Sequence, residues 1–387
     1  MALQRDADRL LAEGVADGVV PGVVAMATDA RNSFYTGEFG ERALGSGEPM
    51  TADTVMWIAS MTKPMAAAAA MQLVERGELD LDAPASVLAP WLGEAQVLEG
   101  FGADGAPRLR PPAREITLRH LLTHSSGFGY TFWNAGLKRF NEMRERDGSD
   151  RLDSLRMPLV FDPGTDWQYG IGIDWAGVMV EEASGMSLGA FMAANLFEPL
   201  GMADTAFHVP TGRRGRLARM HRKTADGIGF VDRNPPESAP ELEGGGGGIY
   251  STMNDYVRFI RMILNEGCAG GEQVLKPETV RRMSVNQMGG LRVHPLKSQA
   301  PELTCDVDIF PGIEKSWGLS FMINEDPAPT GRSAGSLAWA GLANSHFWID
   351  PARGVGGIFA TQMFPFVEAG VIRLYQDYEK CVYDSLD

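Results

Sequence analysis

The sequence Trp57-Ile58-Ala59-Ser60-Met61-Thr62-Lys63-Pro64 places a serine three residues before a lysine, at the start of a stretch rich in alanine and methionine. The stretch continues to Arg76 and is followed by Gly77, which predicts a helix with a glycine cap. Positions three apart on a helix lie on neighbouring surfaces, so Ser60 Oγ and Lys63 Nζ can come within hydrogen-bond reach. A serine hydroxyl becomes a nucleophile when a base takes its proton, and a buried lysine with a lowered pKa can be that base.

This S-x-x-K pattern also fits a helix-capping serine followed by a surface lysine, because the pattern occurs by chance in many proteins. Its context favours the catalytic interpretation. Together with residues 57–63, five further segments resemble, in order, the serine β-lactamase and penicillin-binding-protein superfamily, especially its class-C-like esterases, the family VIII carboxylesterases. The resemblance extends from about residue 20 to residue 365. The five segments are residues 116–127, 167–169, 197–205, 244–252 and 348–351.

Tyr169 matches the tyrosine of the second motif of that superfamily, Y-x-N, although it also fits an ordinary core tyrosine. In the family this phenol approaches the nucleophile and shares its proton with the lysine. The resemblance therefore implies catalytic roles for Ser60, Lys63 and Tyr169, with the lysine charge lowering the pKa of the phenol. Ile171 replaces the asparagine that holds the amide side chain of a β-lactam, which argues against a β-lactamase.

Residues Trp339, Ala340 and Gly341 match the third family motif, K-T-G or H-x-G, in the W-x-G form typical of the esterase branch. In lactamases the cation of this motif pairs with the antibiotic carboxylate. The indole of Trp339 replaces that cation, and the resemblance therefore implies a preference for neutral acyl groups. The resemblance also implies an oxyanion hole formed by the backbone N–H groups of Ser60 and Leu342. A glycine at position 341 permits close approach of the backbone to substrate. The alternative is an ordinary tryptophan in a core strand.

Three aromatic residues, Tyr130, Phe132 and Trp133, lie in a loop that borders the acyl pocket in relatives. They predict either an apolar wall for an ester or packing against the core. His120 and His124 are spaced like zinc ligands but lack the glutamate of H-E-x-x-H, which predicts a structural role. The glycine run 244–248 lacks the lysine and hydroxyl residue of a phosphate-binding loop and predicts a tightly packed turn.

A second serine, Ser333, lies in the sequence G-x-S-x-G, which is also the nucleophile elbow of α/β-hydrolases. That elbow requires a strand before it and a helix after it. Here a turn-rich segment precedes Ser333 and a strand-like segment follows at Leu337. His346 is the only downstream histidine, and no acid lies between it and Ser333. We therefore expect Ser333 to be non-catalytic.

Charge and composition exclude several classes of function. A net charge of −15 over 387 residues argues against nucleic-acid binding, which needs a basic surface. No apolar run approaches the roughly 20 residues that span a bilayer, and the N-terminus predicts an amphipathic helix rather than a secretory signal. Cys268, Cys305 and Cys381 are odd in number and far apart, which predicts reduced thiols. We expect a cytoplasmic protein, or a periplasmic one if a signal is removed.

The secondary-structure pattern predicts an α/β (α+β) fold of the β-lactamase/transpeptidase type, with an antiparallel sheet flanked by helices. An α/β domain is expected from residues 1–78 and 241–387, with a mainly helical domain, residues 79–240, inserted between them. Strands are expected at residues 21–28, 33–39, 317–322, 337–339, 345–349 and 357–362. Helices are expected at residues 60–76, 174–183, 187–197, 250–265 and 367–383.

Together these features predict a serine carboxylesterase that acts on a small-molecule ester through an acyl-enzyme on Ser60 and needs no cofactor or metal. An acyltransferase, an amidase or peptidase, and a weak β-lactamase remain alternatives on the same scaffold. A non-catalytic ligand-binding sensor is a further alternative, against which the intact Ser60, Lys63 and Tyr169 argue.

Overall fold

The computed structural model describes residues 2–145 and 150–386. Its α-helices are α1 Ala2–Ala16, α2 Thr62–Arg76, α3 Leu118–Leu122, α4 Ala135–Met143, α5 Gly172–Ser184, α6 Leu188–Met192, α7 Glu198–Leu200, α8 Thr211–Arg214, α9 Met253–Leu264, α10 Pro277–Met283 and α11 Ala369–Asp384. Its strands are β1 Gly22–Asp29, β2 Ser33–Gly40, β3 Met56–Trp57, β4 Val97–Phe101, β5 Pro107–Arg110, β6 Met220–Thr224, β7 Gly227–Val231, β8 Tyr250–Ser251, β9 Cys268–Ala269, β10 Glu272–Gln273, β11 Lys315–Trp317, β12 Met322–Asn324, β13 Leu337–Gly341, β14 Ser345–Asp350, β15 Val355–Ala360 and β16 Met363–Phe364.

The largest sheet contains seven antiparallel strands in the order β11-β12-β13-β14-β15-β1-β2. Strand β1 pairs with β15, with Val24 opposite Ala360 and Thr28 opposite Gly356. The two ends of the chain therefore meet inside one sheet, and the expected mixed fold with a large antiparallel sheet is confirmed.

Helices cover both faces of this sheet. On one face Tyr256 of α9 packs against Phe347, with ring centroids 5.4 Å apart. On the other face Tyr375 of α11 stacks on His346 at 4.5 Å, and α1 packs against α11. His346 and Phe347 are consecutive on β14, so their side chains point to opposite faces. Because both faces are covered, β14 and β15 are buried at every position, and Phe347, Trp348 and Ile349 follow one another on β14 without a polar residue between them.

Helix α2 lies in the interior and contacts α5 and α6. All residues from Thr62 to Leu73 are buried, and the alanines among them allow close helix packing. Gly77 ends the helix with φ of 74°, as the sequence predicts. Because the helix is buried on every side, a lysine on its first turn is held inside the protein.

Two predicted elements have different bounds in the structure. The helix expected over residues 250–265 begins only at Met253, because Tyr250–Ser251 pairs with β3 and the Thr252 hydroxyl caps the helix by accepting from Asp255 N at 3.2 Å. The single strand expected over residues 317–322 is instead a tight hairpin between β11 and β12. Its turn forms at Gly318, where a Cβ atom would lie 2.2 Å from the Met283 carbonyl oxygen.

The middle of the chain also departs from expectation. The helix predicted to end before Pro199 continues past it and ends at Gly201, which has φ of 67°. A π-helical turn, Ala193–Phe197, joins α6 to α7, and Pro199 is the second residue of α7. The hairpins β4–β5 and β6–β7 add strands to the region expected to be mainly helical. One hydrophobic core includes residues from both expected domains, so the boundaries at 78/79 and 240/241 stay a prediction.

The motif Gly331–Gly335 lies in the loop between β12 and β13, without the strand–helix turn of a nucleophile elbow. Its Arg332 binds the carboxylate of Glu379 on α11 with Nε 3.0 Å from Oε1 and Nη2 on Oε2. Arg332 Nη2 also lies 2.8 Å from the Tyr375 hydroxyl. The two charged side chains are 1% and 0% exposed. This segment therefore ties the C-terminal helix to the sheet.

In the described part of the chain, each helix is too short or too polar to cross a bilayer. The thiols of Cys268, Cys305 and Cys381 are unpaired.

We expect Arg332→Ala to lower the free energy of unfolding by about 3–5 kcal/mol, because it leaves the Glu379 carboxylate buried without a counter-charge. Lys380→Ala on the same helix is the matched control, since Lys380 Nζ and Asp384 Oδ1 are 2.5 Å apart with both side chains more than half exposed. That exposed pair should contribute no measurable stability. Urea denaturation followed by tryptophan fluorescence measures both variants, and equal losses would contradict the assignment.

Candidate active site

Ser60 lies where a short 3₁₀ turn, Ala59–Met61, leads into α2. The residue before it, Ala59, has φ of 46°, a conformation that costs energy for a residue with a Cβ atom. Strand β13 holds this strained segment in place, because Gly341 packs directly against Ile58 and a Cβ atom at Gly341 would lie 2.4 Å from the Ile58 carbonyl oxygen. The Ser60 hydroxyl is thereby presented, partly exposed, to a cavity.

Lys63 is completely buried, and its Nζ has three hydrogen-bond partners. It lies 3.1 Å from Ser60 Oγ and 3.0 Å from Tyr130 Oη, and it donates to the carbonyl oxygen of Gly246. An ammonium group has three donors and no acceptor, so three oxygens satisfy it. A neutral amine has a lone pair, to which one of the two hydroxyls can donate. The surroundings therefore accommodate both protonation states, as a base requires.

Burial lowers the pKa of Lys63 to about 7, and the negative charge of Asp174 opposes part of that shift. Near neutral pH a substantial fraction of the amine is therefore neutral. A neutral amine 3.1 Å from Ser60 Oγ can take the hydroxyl proton as the oxygen attacks. As the pH rises through about 7, Lys63 loses its proton and the base form accumulates.

The Tyr169 hydroxyl is buried, and Tyr169 borders the same cavity as Ser60. Trp339 Nε1 donates to Tyr169 Oη at 2.6 Å. The expected direction of the pKa shift is wrong: burial raises the pKa of Tyr169, and polar interaction with Ser60 and the indole N–H of Trp339 opposes only part of that shift. Lys63 Nζ lies over the tyrosine ring, 4.7 Å from its centre. The phenol therefore stays protonated at neutral pH and can give a proton in the resting site.

Asp174 is a residue of the site that sequence reasoning missed. It lies on the first turn of α5, lines the cavity and accepts from Gly246 N at 2.9 Å. A Cβ atom at Gly246 would lie 2.3 Å from Asp174 Oδ2, so the glycine permits this approach. The same peptide segment thus binds Asp174 through its N–H and Lys63 through its carbonyl. One feature of the sequence could have indicated Asp174: it is a single acidic residue in the otherwise apolar start of a helix, five residues after Tyr169.

A cavity of about 380 Å³ opens beside Ser60 and is lined mainly by apolar side chains. Ile171 also borders it, at the position of the missing asparagine. Gly341 is not among the described residues that line the cavity. The expected close approach of its backbone is therefore to Ile58 and not to substrate. The remaining predicted residues border it, namely Tyr130, Phe132, Trp133, Tyr169, Trp339, Ala340 and Leu342.

The aromatic loop contributes more than the expected apolar wall, because the Tyr130 hydroxyl is a partner of Lys63. Its ring also stacks on Phe132 at 4.9 Å. Tyrosine and phenylalanine are equivalent as wall residues, so the sequence pattern could not reveal this polar contact. The loop therefore combines a cavity wall with a contact to the base.

The two histidines serve the framework. His120 Nδ1 accepts from Thr117 N at 3.2 Å in the cap of α3. His124 is buried with its ring 4.4 Å from that of Tyr169, and its Nδ1 accepts from Gly170 N at 3.4 Å. Burial holds the pKa of His124 well below its usual value, so this ring supports Tyr169 as a neutral group. Among the described residues, no group of three His, Cys, Asp or Glu side chains could hold a metal ion.

Comparison with known families and curated proteins gives consistent matches over nearly the whole chain. The sequence pattern of the family described as Beta-lactamase matches residues 7–379. Lovastatin esterase of Penicillium rubens is 33% identical over 374 residues, which cover 89% of this chain and 89% of that protein. Monacolin J acid methylbutanoyltransferase of Aspergillus terreus is 31% identical, with 94% and 92% of the two chains covered.

Solved structures show the same fold. The unliganded simvastatin synthase LovD from Aspergillus terreus has a TM-score of 0.84 at 28% identity, and 99% of this chain and 98% of that one are covered. EstCE1, a hydrolase with promiscuous acyltransferase activity, has a TM-score of 0.79 at 21% identity, with 99% and 98% covered. At that identity the second likeness concerns the fold alone.

The pKa of Lys63 predicts how the reactivity of Ser60 depends on pH. We expect the rate constant for labelling Ser60 with a fluorophosphonate to rise about tenfold per pH unit below pH ~7 and to level off above it, because only the neutral amine takes the serine proton. Mass spectrometry of the labelled peptide measures the rate, and Ser60→Ala is the unlabelled control. A rate that kept rising to pH ~10 would show that the amine keeps its ordinary pKa.

Proposed function

Because this chain belongs to the Beta-lactamase family, we propose that it cleaves carboxylic esters through an acyl-enzyme formed on Ser60. The observation that carries the proposal is the contact of Lys63 with Ser60, a completely buried amine 3.1 Å from a serine hydroxyl that borders a cavity. The chain is an enzyme of the hydrolase or acyltransferase type, as its relatives are.

In the proposed acylation, neutral Lys63 takes the proton of Ser60 while Oγ forms a bond to the ester carbonyl carbon. The backbone N–H groups of Ser60 and Leu342 would bind the resulting oxyanion, since both residues border the cavity. The carbon–oxygen bond to the alcohol then breaks, and the leaving oxygen receives the Tyr169 hydroxyl proton. The acyl-enzyme at this point contains a Lys63 ammonium and a Tyr169 phenolate.

In the proposed deacylation, the Tyr169 phenolate takes a proton from water while the water oxygen attacks the acyl carbon. The bond to Ser60 Oγ breaks, and Lys63 returns its proton to that oxygen. Burial, which raises the pKa of Tyr169, makes its phenolate a strong base for this step. Both groups are then in their starting states, and no cofactor takes part.

The cavity supports a neutral acyl group as substrate. Ile171 and Trp339 border it where a β-lactamase has an asparagine and a cation, and the other walls are mainly aromatic. An anionic acyl group would lose its hydration there and meet the carboxylate of Asp174. These features favour a small neutral ester over a penicillin, whose carboxylate would lack a partner.

Acyl transfer to an alcohol is the second candidate function, because monacolin J acid methylbutanoyltransferase is a relative and an apolar cavity favours an organic acceptor over water. The same acyl-enzyme serves both reactions, and only the species that attacks it differs. Chromatography of the products formed from an ester in the presence of a competing alcohol separates the two: a new ester indicates transfer and the free acid indicates hydrolysis.

We expect Ser60→Ala to abolish p-nitrophenyl butyrate hydrolysis and Ser333→Ala to retain most of it. Ser333 is the matched control because it lies outside the cavity residues, and its N–H binds Asp350 Oδ2 at 2.9 Å in the loop before β13. Hydrolysis is measured from p-nitrophenol release. Loss of activity only in a folded Ser333→Ala protein would overturn the assignment, and full activity in both variants would show that another residue is the nucleophile. No hydrolysis by the unaltered protein would leave the sensor interpretation.

Substrate class is tested by comparing an ester and a penicillin on one preparation. We expect kcat/KM for p-nitrophenyl butyrate to exceed that for the penicillin at least about a hundredfold, because each of two lost polar contacts removes roughly 1–3 kcal/mol. Spectrophotometric assays of both substrates measure the ratio. Equal efficiencies would identify a β-lactamase instead.

A further inference from the structure

Tyr169 Oη is buried and has one hydrogen-bond donor, Trp339 Nε1, at 2.6 Å. Tyr169 borders the same cavity as Ser60. An indole N–H can only donate, so the single proton of the phenol cannot point toward Trp339. It is left to point away from the indole, and the cavity that Tyr169 shares with Ser60 is where the proposed reaction uses it. The contact with Trp339 therefore orients the hydroxyl.

We propose that Trp339 is a positioning residue whose indole N–H orients the Tyr169 hydroxyl and stabilises the phenolate formed when Tyr169 protonates the leaving alcohol. This inference rests on the proposed function. A hydrogen bond from a neutral donor becomes stronger when its acceptor gains negative charge. The indole thus stabilises the phenolate more than the phenol, and this difference lowers the barrier rather than tightening substrate binding.

The neutrality of this donor suits the surroundings. Lys63 already supplies the positive charge that accompanies the phenolate, with Nζ 4.7 Å from the centre of the Tyr169 ring. A second buried cation would disfavour the charged form of Lys63 through like-charge repulsion. It would also attract an anionic acyl group into the cavity. An indole N–H holds the phenolate without adding charge to the site.

Trp317 provides a matched control within the same cluster. Both indoles are buried, and both rings pack on Tyr169, with centroids 4.7 Å away for Trp339 and 5.8 Å away for Trp317. Trp317 Nε1, however, has no hydrogen-bond partner in the described part of the chain. Replacing either residue by phenylalanine removes a similar aromatic volume, but only Trp339→Phe removes a donor from the phenol.

The experiment compares two butyrate esters that differ in their need for a proton. An ethoxide leaving group requires protonation, whereas p-nitrophenolate leaves readily without it. For Trp339→Phe we expect kcat/KM for ethyl butyrate to fall roughly ten- to a hundredfold, which is the range for loss of a hydrogen bond to a charged group. The kcat/KM for p-nitrophenyl butyrate should fall less than about threefold, because its leaving group needs no proton. Trp317→Phe should change both values by the same small factor. The ratio of the two values is unaffected by the fraction of active enzyme, so a partly unfolded variant still gives an answer.

Trp339→His, which keeps a ring N–H, should restore part of the ethyl butyrate activity and support the inference. Equal losses for the two esters in Trp339→Phe would overturn it. So would a Trp317→Phe variant in which the ratio of the two kcat/KM values changes as much as in Trp339→Phe. Either result would leave the proposed function intact as long as Ser60→Ala stays inactive. If the unaltered enzyme hydrolysed neither ester, the proposed function would fail, and the inference with it.

Discussion

The burial of one amine is the constraint on which the site depends. Lys63 is enclosed on the first turn of a helix that is itself buried, and its Nζ is held by two hydroxyls and a backbone carbonyl. Removal from water brings the pKa of the amine to about 7, where it can exchange a proton with Ser60. A solvated lysine at the same spacing would stay charged at neutral pH and could not act as a base.

The backbone around the amine is as important as its side-chain partners. Gly246 binds Lys63 through its carbonyl and Asp174 through its N–H, and a Cβ atom at this position would displace the Asp174 carboxylate. Gly341 likewise lets β13 pack against the strained segment before Ser60. The two glycines therefore contribute by allowing close approach. Their effect is to place a nucleophile, a base and a carboxylate around one small cavity.

The site contains few charged side chains. Apart from Lys63 and Asp174, its named members are neutral aromatic, hydroxyl or backbone groups, including the indole of Trp339 and the phenols of Tyr130 and Tyr169. In such mainly apolar surroundings a hydrogen bond to a developing charge is stronger than the same bond in water. Under the proposed function, such surroundings disfavour a charged acyl group and admit an alcohol as well as an ester.

Sequence motifs alone predicted the fold class, the buried helix after Ser60, the strands of the central sheet from both chain ends and the grouping of Ser60, Lys63 and Tyr169, because each depends on local spacing or on segments in order. Two features of the site required the tertiary structure: the contact of Tyr130 with Lys63, and the approach of Asp174 to Gly246. These pairs are far apart in the chain, and no local pattern encodes their distance. The direction of the Tyr169 pKa shift was likewise decided by the structure, because burial and the indole of Trp339 act on the hydroxyl only after the chain has folded around it.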